Sequence, residues 1–219
     1  MVSQTLLLAS NSPRRKQLLA LGGWEFTTCP ADVDETILPG EAPRDYVMRL
    51  AQAKARTSAR KALPEQAVIG SDTAVIIDGD ILGKPADSAE AESMLRRLRG
   101  RTHQVFTGIA VFRPADGKFA ADLCITDVPM RDYSDDEIRT YVATGDPLDK
   151  AGAYAIQHPG FQPVASMSGC FASVMGLPHC HLARLLKEFG MRPATDLPAN
   201  CQAFLSYQCP VFPSILGRG

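Results

Sequence analysis

Thr5-Leu6-Leu7-Leu8-Ala9-Ser10-Asn11-Ser12-Pro13-Arg14-Arg15 is the stretch on which the fold turns. Its apolar run, Thr5 to Ala9, reads as a buried strand. Ser12 then offers a capping hydroxyl to a helix, and Pro13 suits the first helical position because its φ is already fixed there. A buried strand that feeds a helix through a short loop is the opening unit of an α/β domain. The same junction is chemically loaded, because the free N–H groups of a helix start and the positive end of its dipole favour an anion. Arg14 and Arg15 add two planar forks that match phosphate oxygens, at a helix end where cations are otherwise slightly unfavourable. Phosphate is the natural guest; the alternative is a solvent-facing first turn whose arginines only confer solubility.

Outward from this unit, the helix is expected to run to about Leu21 and to close at Gly22-Gly23. A second short strand, Trp24 to Cys29, leads to the acidic turn Asp32-Val33-Asp34-Glu35. The spacing of Tyr46, Val47, Leu50, Ala51 and Ala55 predicts an amphipathic helix from Pro43 to Lys61, with Lys54 bordering its apolar stripe. Ala67 to Gly70 and Ala74 to Ile77 read as strands on either side of a bend at Ser71-Asp72-Thr73. A turn at Asp78-Gly79-Asp80 precedes Ile81-Leu82-Gly83-Lys84-Pro85. Asp87 with Glu90 and Ser134 with Glu137 are helix-start patterns, closed by Gly100 and Gly145 respectively. Between these helices, Thr102 to Phe112 and Lys118 to Met130 form an antiparallel ribbon around Pro114-Ala115-Asp116-Gly117. A strand over Phe161 to Met167, a helix from Pro178 to Phe189 and an extended proline-containing tail complete the expectation. The fold class is thus α/β, one domain with two lobes around a cleft.

The chain has 219 residues, 45% of them hydrophobic and 21% charged, enough for one substantial domain. A net charge of -1 supplies no basic field for nonspecific nucleic-acid binding, so an anion site has to be built from a few placed cations. No run of eighteen apolar residues exists, and Met1-Val2-Ser3-Gln4 lacks the features of a signal peptide. No membrane partner, no nucleic-acid partner and a cytoplasmic location are expected. Six cysteines without a Cys-x-x-Cys pair agree with a reducing compartment. There is no Walker A pattern, no G-x-G-x-x-G loop and no H-E-x-x-H.

Asp72 can face a cleft as a base or metal ligand, or cap a turn through its side chain. With Glu35 or Asp34 it could hold Mg²⁺, an ion that takes one or two carboxylates plus substrate phosphates. Lys54 and Lys84 are point charges suited to a polyphosphate, or ordinary snorkelling and loop lysines. Asp149 and Lys150 either pair with each other or point into the site.

The segments Ser10-Asn11-Ser12-Pro13-Arg14-Arg15, Val33-Asp34-Glu35, Gly70-Ser71-Asp72-Thr73, Gly83-Lys84-Pro85, Asp149-Lys150-Ala151-Gly152-Ala153-Tyr154 and Gly176-Leu177-Pro178 together resemble the Maf family of nucleoside triphosphate pyrophosphatases. The resemblance runs in order from about Leu6 to Gly190, which makes 1–190 the expected catalytic domain and 191–219 a tail carrying Pro and Cys. It implies a mixed, elongated sheet with two lobes around a cleft, similar to inosine triphosphate pyrophosphatases (Maf/Ham1-like), often as a homodimer, and conversion of an NTP and water to NMP and pyrophosphate with Mg²⁺ or Mn²⁺. By this resemblance Asp72 is the proton acceptor. Ser12, Arg14, Arg15, Lys54 and Lys84 handle the phosphates, and Glu35 and Asp72 the metal. Arg14, Thr73 and Gln157 look like the subgroup that hydrolyses dTTP and UTP, and the amide of Gln157 can donate to a pyrimidine carbonyl while accepting from the ring N–H. His158-Pro159 departs from the glycine usual there, and Ser168-Gly169-Cys170-Phe171 departs from the usual Gly-Ser-Tyr or Gly-Asp-Tyr pattern. The alternatives are a 7-methyl-GTP-type pyrophosphatase and a nucleotide-sensing regulator of septum formation without turnover. Cys170, Cys180, Cys201 and Cys209, near His179 and His181, leave open buried thiols, a disulfide or a structural Zn²⁺.

Overall fold

β3, Ala67–Ile77, is the strand around which the molecule is built. The structure, a computed structural model, describes residues 5–217. Along one edge β3 pairs antiparallel with β5 (Thr102–Arg113) at every position from Val68 to Ile76, and β5 pairs with β6 (Lys118–Pro129). Along its other edge β3 pairs parallel with β1 (Leu6–Leu8) over Ala67 to Ile69, and antiparallel with β4 (Asp80–Leu82) over Val75 to Ile77. β2 (Phe26–Thr28) extends the sheet beyond β1, giving a six-stranded mixed sheet of order β2-β1-β3-β5-β6 with β4 on the side. Residues 70–74 therefore have a strand partner on one side only. A gap in the sheet edge opens between the end of β1 and the end of β4.

The bend expected at Ser71-Asp72-Thr73 does not occur; these residues continue the strand. Their polarity favours a turn locally, but each side chain finds a partner across the sheet or from a covering segment, so the long ladder wins over local propensity. Ser71 Oγ lies 3.1 Å from the Gly108 carbonyl oxygen and 2.9 Å from that of Gly176, and Thr73 Oγ1 lies 3.0 Å from Thr107 Oγ1.

The pleat of β3 sends alternate residues to two different layers. Val68, Gly70, Asp72, Ala74 and Ile76 face α2 (Pro43–Ala59), whose Val47 packs on Ala74 and Ile76. The helix lies unusually close because two glycines oppose it. A Cβ at Gly70 would sit 2.1 Å from the Ala51 carbonyl oxygen, and one at Gly108 would sit 2.6 Å from that of Val47. This backbone-on-sheet contact carries Lys54 onto the strand. Overpacking of such a contact costs about 1–3 kcal/mol, so Gly70→Ala is expected to lower the urea midpoint and the Tm by a matching amount.

On the opposite layer two apolar clusters flank the middle of β3. One contains Ile69 with residues of β1, α1 (Pro13–Ala20), α6 (His179–Glu188) and β6, among them Leu8, Leu18, Cys124 and Leu182. The other contains Val75 and Ile77 with residues of α3 (Ser88–Leu98) and α4 (Asp135–Val142), among them Leu95, Ile138 and Tyr141. Ser71 and Thr73 lie between them, so the two lobes meet at a polar seam.

Two further expectations are corrected. Phe161 to Met167 forms no strand, only a single bridge from Val164 to Met130. Its role is packing: Phe161 stacks on Tyr141 with ring centroids 4.4 Å apart, and Pro163 spends its carbonyl on the Arg131 amide. The tail is not extended but helical, as α7 (Leu197–Leu205) and α8 (Phe212–Leu216), which follow α5 (Phe171–Val174) and α6. Pro198 and Pro213 occupy the first turns of these helices, where no donor is needed, and Asp196 caps α7. Leu197 and Leu205 are buried in the first cluster, against which Tyr207 and Leu216 also pack.

Candidate active site

The loop from β1 to α1 enters the gap in the sheet edge from one end. Ser12 caps α1, its Oγ accepting from the Arg15 amide at 3.4 Å, and Pro13 opens the helix as the sequence predicts. Ser10 Oγ accepts from the Ser12 amide at 3.1 Å. Arg15 turns back over the loop, donating through Nε to the Gly176 carbonyl at 2.9 Å, through Nη2 to Thr73 Oγ1 at 3.3 Å and through Nη1 to Ser10 Oγ at 3.5 Å. Gly176 has φ of +101°, and a Cβ there would lie 3.1 Å from Arg15 Nε. Only glycine suits both the backbone and the close guanidinium.

From the α2 layer, Lys54 reaches the same gap. Its Nζ lies 2.6 Å from Asp72 Oδ1 and 2.6 Å from Glu35 Oε1, so one ammonium joins a strand carboxylate to a loop carboxylate. Lys54 and Asp72 are 8% and 7% exposed, whereas the Glu35 side chain is half exposed. The stripe-edge lysine is thus a buried ion-pair member and does not snorkel to water. Tyr46, one turn of helix away from Arg49, donates from its hydroxyl to the Glu35 carbonyl at 3.1 Å and fixes the acidic loop.

The two carboxylates are driven apart in acidity. Burial pushes Asp72 up, against the opposing charges of Lys54 and Arg15. For Glu35, burial is outweighed by the hydrogen bond and charge of Lys54 and by the charges of Lys84 and Arg15, and the group is held below the usual range. A pair of carboxylates separated in this way offers one stronger base and one persistent anion.

A cavity of about 1020 Å³ occupies the gap and brings together Ser12, Arg14, Arg15, Glu35, Lys54, Asp72, Thr73, Lys84 and Gln157; Asp34 is not among its walls and instead accepts from the Thr36 amide at 2.9 Å. Lys84 and Gln157 are exposed on its walls. Asp149 and Lys150 also line it, and both alternatives for them hold. Lys150 Nζ lies 2.6 Å from Asp149 Oδ1 and 2.9 Å from Asp146 Oδ1, so the pair is closed on itself at the rim. His158, where the family resemblance leads one to expect glycine, lines the same wall. Its Nδ1 accepts from the Phe161 amide at 2.9 Å and its ring lies 4.7 Å from that of Tyr141, which leaves Nε2 as the N–H of the neutral ring.

Sequence reasoning missed Tyr46 and Asp146 as wall residues. Tyr46 reads as one more apolar-stripe position, and only its hydroxyl tip on an otherwise aliphatic face hints at a polar duty. Asp146 lies in a loop whose 3-10 geometry, Asp146–Asp149, has no periodic signal.

Glu35 and Asp72 converge on a single cation, Lys54 Nζ, and that convergence is the test of whether a divalent ion fits. Two oxygen ligands from the protein, completed by water and phosphate oxygens, are the donor set Mg²⁺ ordinarily takes. Among the described residues, no three His, Cys, Asp or Glu side chains cluster as a closed protein cage.

The described helices include none long and apolar enough to cross a membrane. The chain is 46% identical over 185 residues to the dTTP/UTP pyrophosphatase of Geotalea uraniireducens (strain Rf4), covering 84% of this chain and 95% of that protein. It is 47% identical over 187 residues to the dTTP/UTP pyrophosphatase of Anaeromyxobacter dehalogenans (strain 2CP-C), covering 84% and 94%. Among solved structures, the Staphylococcus aureus Ham1 protein aligns with a TM-score of 0.47 at 17% identity, over 75% of this chain and 81% of that one. The family model for Maf-like protein matches residues 5–189, all but the last helices of the described chain, and the chain belongs to the Maf family.

Proposed function

We propose that this protein hydrolyses the α–β phosphoanhydride of pyrimidine nucleoside triphosphates, dTTP and UTP, to the monophosphate and pyrophosphate, and so clears nucleotide pools. The observation that carries this reading is the Lys54 ammonium held 2.6 Å from both Asp72 and Glu35 in the gap beside the Ser12-capped helix start. Curated relatives at about 45% identity bear the name dTTP/UTP pyrophosphatase, which supports the choice of substrate.

In this account the triphosphate lies along the start of α1. Arg14 and Lys84 meet its oxygens directly, and Arg15, tied to Gly176 and Thr73, presents the remaining face of its fork. Asp72 accepts the proton of the attacking water, a task that suits a carboxylate whose basicity burial has raised. Glu35 with Asp72 would hold a divalent cation, which neutralises developing phosphate charge and lowers the pKa of bound water. Lys54 keeps the two carboxylates from repelling each other before substrate arrives. Gln157 and Thr73 face the base, and Gln157 can offer one donor and one acceptor to the uracil or thymine edge.

Arg14→Ala is expected to raise KM for the triphosphate by about tenfold or more, the value of one charge-assisted phosphate contact of about 1.5–3 kcal/mol. Steady-state kinetics with UTP checks it; unchanged KM and kcat would remove Arg14 from the phosphate grip. Specificity is tested by a panel of dTTP, UTP, CTP and 7-methyl-GTP with Mg²⁺ or Mn²⁺. Turnover of dTTP and UTP well above the other two is expected. Preference for 7-methyl-GTP would favour the other subgroup, and no turnover on any nucleotide would favour a sensing role.

A further inference from the structure

None of the six cysteines, all free thiols, lines the nucleotide pocket, and of the four histidines His158 alone does. Its backbone is fixed from both sides, the amide donating to the Ala155 carbonyl at 3.1 Å and the carbonyl accepting from the Gln162 amide at 3.2 Å. The ring is seated as firmly. Nδ1 accepts from the Phe161 amide at 2.9 Å, and a Cβ at Gly160 would meet Cε1 at 3.5 Å. The ring also lies against Tyr141, with centroids 4.7 Å apart and planes tilted by 58°. Tyr141 is itself pinned: its hydroxyl donates to Asp146 Oδ2 at 2.6 Å and accepts from the Ala155 amide at 3.0 Å, while its ring stacks on the buried Phe161. The His158 side chain makes no other hydrogen bond among the described residues, which leaves Nε2 unpartnered on a half-buried ring at the pocket wall.

We propose that His158 is the residue that rejects cytosine, a role that rests on the pyrimidine triphosphate reading above. Its Nε2–H, fixed by the contact at Nδ1, donates to the O4 carbonyl shared by uracil and thymine and opposes the amino group that cytosine carries in the same place.

A further determinant is needed because the other groups at this end of the pocket fit both bases. Turning the Gln157 amide over exchanges its oxygen and its NH₂, so it matches the N3–H and O4 of uracil as well as the N3 and amino group of cytosine. The Thr73 hydroxyl can likewise donate or accept, and it is already shared between Arg15 Nη2 at 3.3 Å and Thr107 Oγ1 at 3.0 Å. His158 differs. A nitrogen that accepts an amide N–H cannot carry a proton as well, so in the neutral ring the proton sits on Nε2, and that atom can only donate. The other tautomer would forfeit the Phe161 bond and set two N–H groups against each other.

Gln157 and His158 are chain neighbours on one wall, so a single base edge can meet both. O4 has two lone pairs and can accept from the two side chains together. Cytosine would instead bring an amino N–H against Nε2–H, leaving two donors without an acceptor on a partly desolvated wall. Rejection through polar groups left unpaired is sharper than rejection through a missing methylene, and it works against the wrong base without tightening the right one.

The test compares kcat/KM for UTP and CTP in the wild type, His158→Asn and His158→Gln. Asparagine can place its carbonyl oxygen where Nδ1 lies and keep the Phe161 bond, but it puts nothing at Nε2; glutamine reaches the Nε2 position with an amide that can turn over. The ratio of UTP to CTP is expected to fall by about tenfold in each, the scale of one hydrogen bond. In His158→Asn the fall comes through a higher KM for UTP, and in His158→Gln through gained turnover of CTP. A ratio unchanged from wild type, or equal losses on both nucleotides, overturns the proposal. A second readout does not depend on turnover: long-range ¹H–¹⁵N spectra of the full chain, with His158 assigned by its absence from His158→Asn. The Nε2–H tautomer is expected, and added UMP, but not CMP, should move its Nε2 resonance. The Nδ1–H tautomer, or equal responses to the two monophosphates, overturns the proposal. Failure of the wild type to turn over either triphosphate, with the UMP response intact, would overturn the hydrolytic reading and leave the base recognition standing.

Discussion

Asp72→Asn is expected to lower kcat by about 10²–10⁴-fold, the usual contribution of a positioned base, while nucleotide binding survives. The amide keeps the shape of the carboxylate but cannot accept a proton from water, and it contributes a weaker ligand to any divalent ion. The phosphate grip is untouched, because Arg14, Arg15 and Lys84 reach the pocket from other segments. Lys54 retains Glu35 as its partner at 2.6 Å, so the variant should fold normally. Single-turnover kinetics and equilibrium titration with a nonhydrolysable UTP analogue separate the two quantities. Equal loss of binding and turnover would place Asp72 in the substrate grip and remove it as the base.

Lys54→Met should have the second-largest effect, and on stability as well as rate. Removing one partner of a buried pair leaves an uncompensated charge and costs about 3–5 kcal/mol in general; the half-exposed Glu35 lies at the lenient end of that range, Asp72 at the severe end. The pH dependence follows from linkage. Burial already raises Asp72 above its ordinary value in the folded state, and loss of the Lys54 charge raises it further. A carboxylic acid with a raised folded pKa binds its proton more tightly when folded, so its favourable contribution is present at low pH and lost as pH rises through the folded pKa. The variant should therefore gain stability relative to wild type as the medium is acidified from neutral. The acid limb of its pH–rate profile should move to higher pH. Denaturant titrations at several pH values, with a kcat profile on the same samples, check both; a pH-independent stability difference would show that Lys54 does not set the charge state of Asp72. Added Mg²⁺ should recover part of the loss, since a divalent ion between the carboxylates replaces the missing cation.

Much of the fold was legible in the sequence because its signals are local. Ser12 with Pro13, Asp87 with Glu90 and Ser134 with Glu137 each cap the helix they predict, and the antiparallel ribbon of β5 and β6 forms within one residue of its expected bounds. Where the reading failed, the deciding interactions were distant in sequence. Ser71-Asp72-Thr73 looks like a bend because three polar residues interrupt an apolar run, yet they are partnered by Gly176, Lys54 and Thr107. The tail looks extended because of its prolines, and only the first cluster, which Leu197 and Leu205 help to close, reveals those prolines as helix starters. The candidate site residues were suggested by linked short motifs, and the sequence could place them only in order along the chain. The gap between β1 and β4 on the edge of β3 is what gathers them, and no one-dimensional pattern reports a missing strand partner. Lys54 illustrates the difference: its stripe-edge position is visible in the helical spacing, while its burial depends on Gly70 and Gly108 letting α2 approach the sheet.

In the proposed reaction Asp72 and its neighbours direct water to the α–β bond of a pyrimidine nucleoside triphosphate. It is tested most directly by incubating the purified protein with UTP and Mg²⁺ and resolving the products by anion-exchange chromatography and ³¹P NMR. Equimolar UMP and intact pyrophosphate, with no UDP at any time point, is the predicted result; UDP with inorganic phosphate would contradict it.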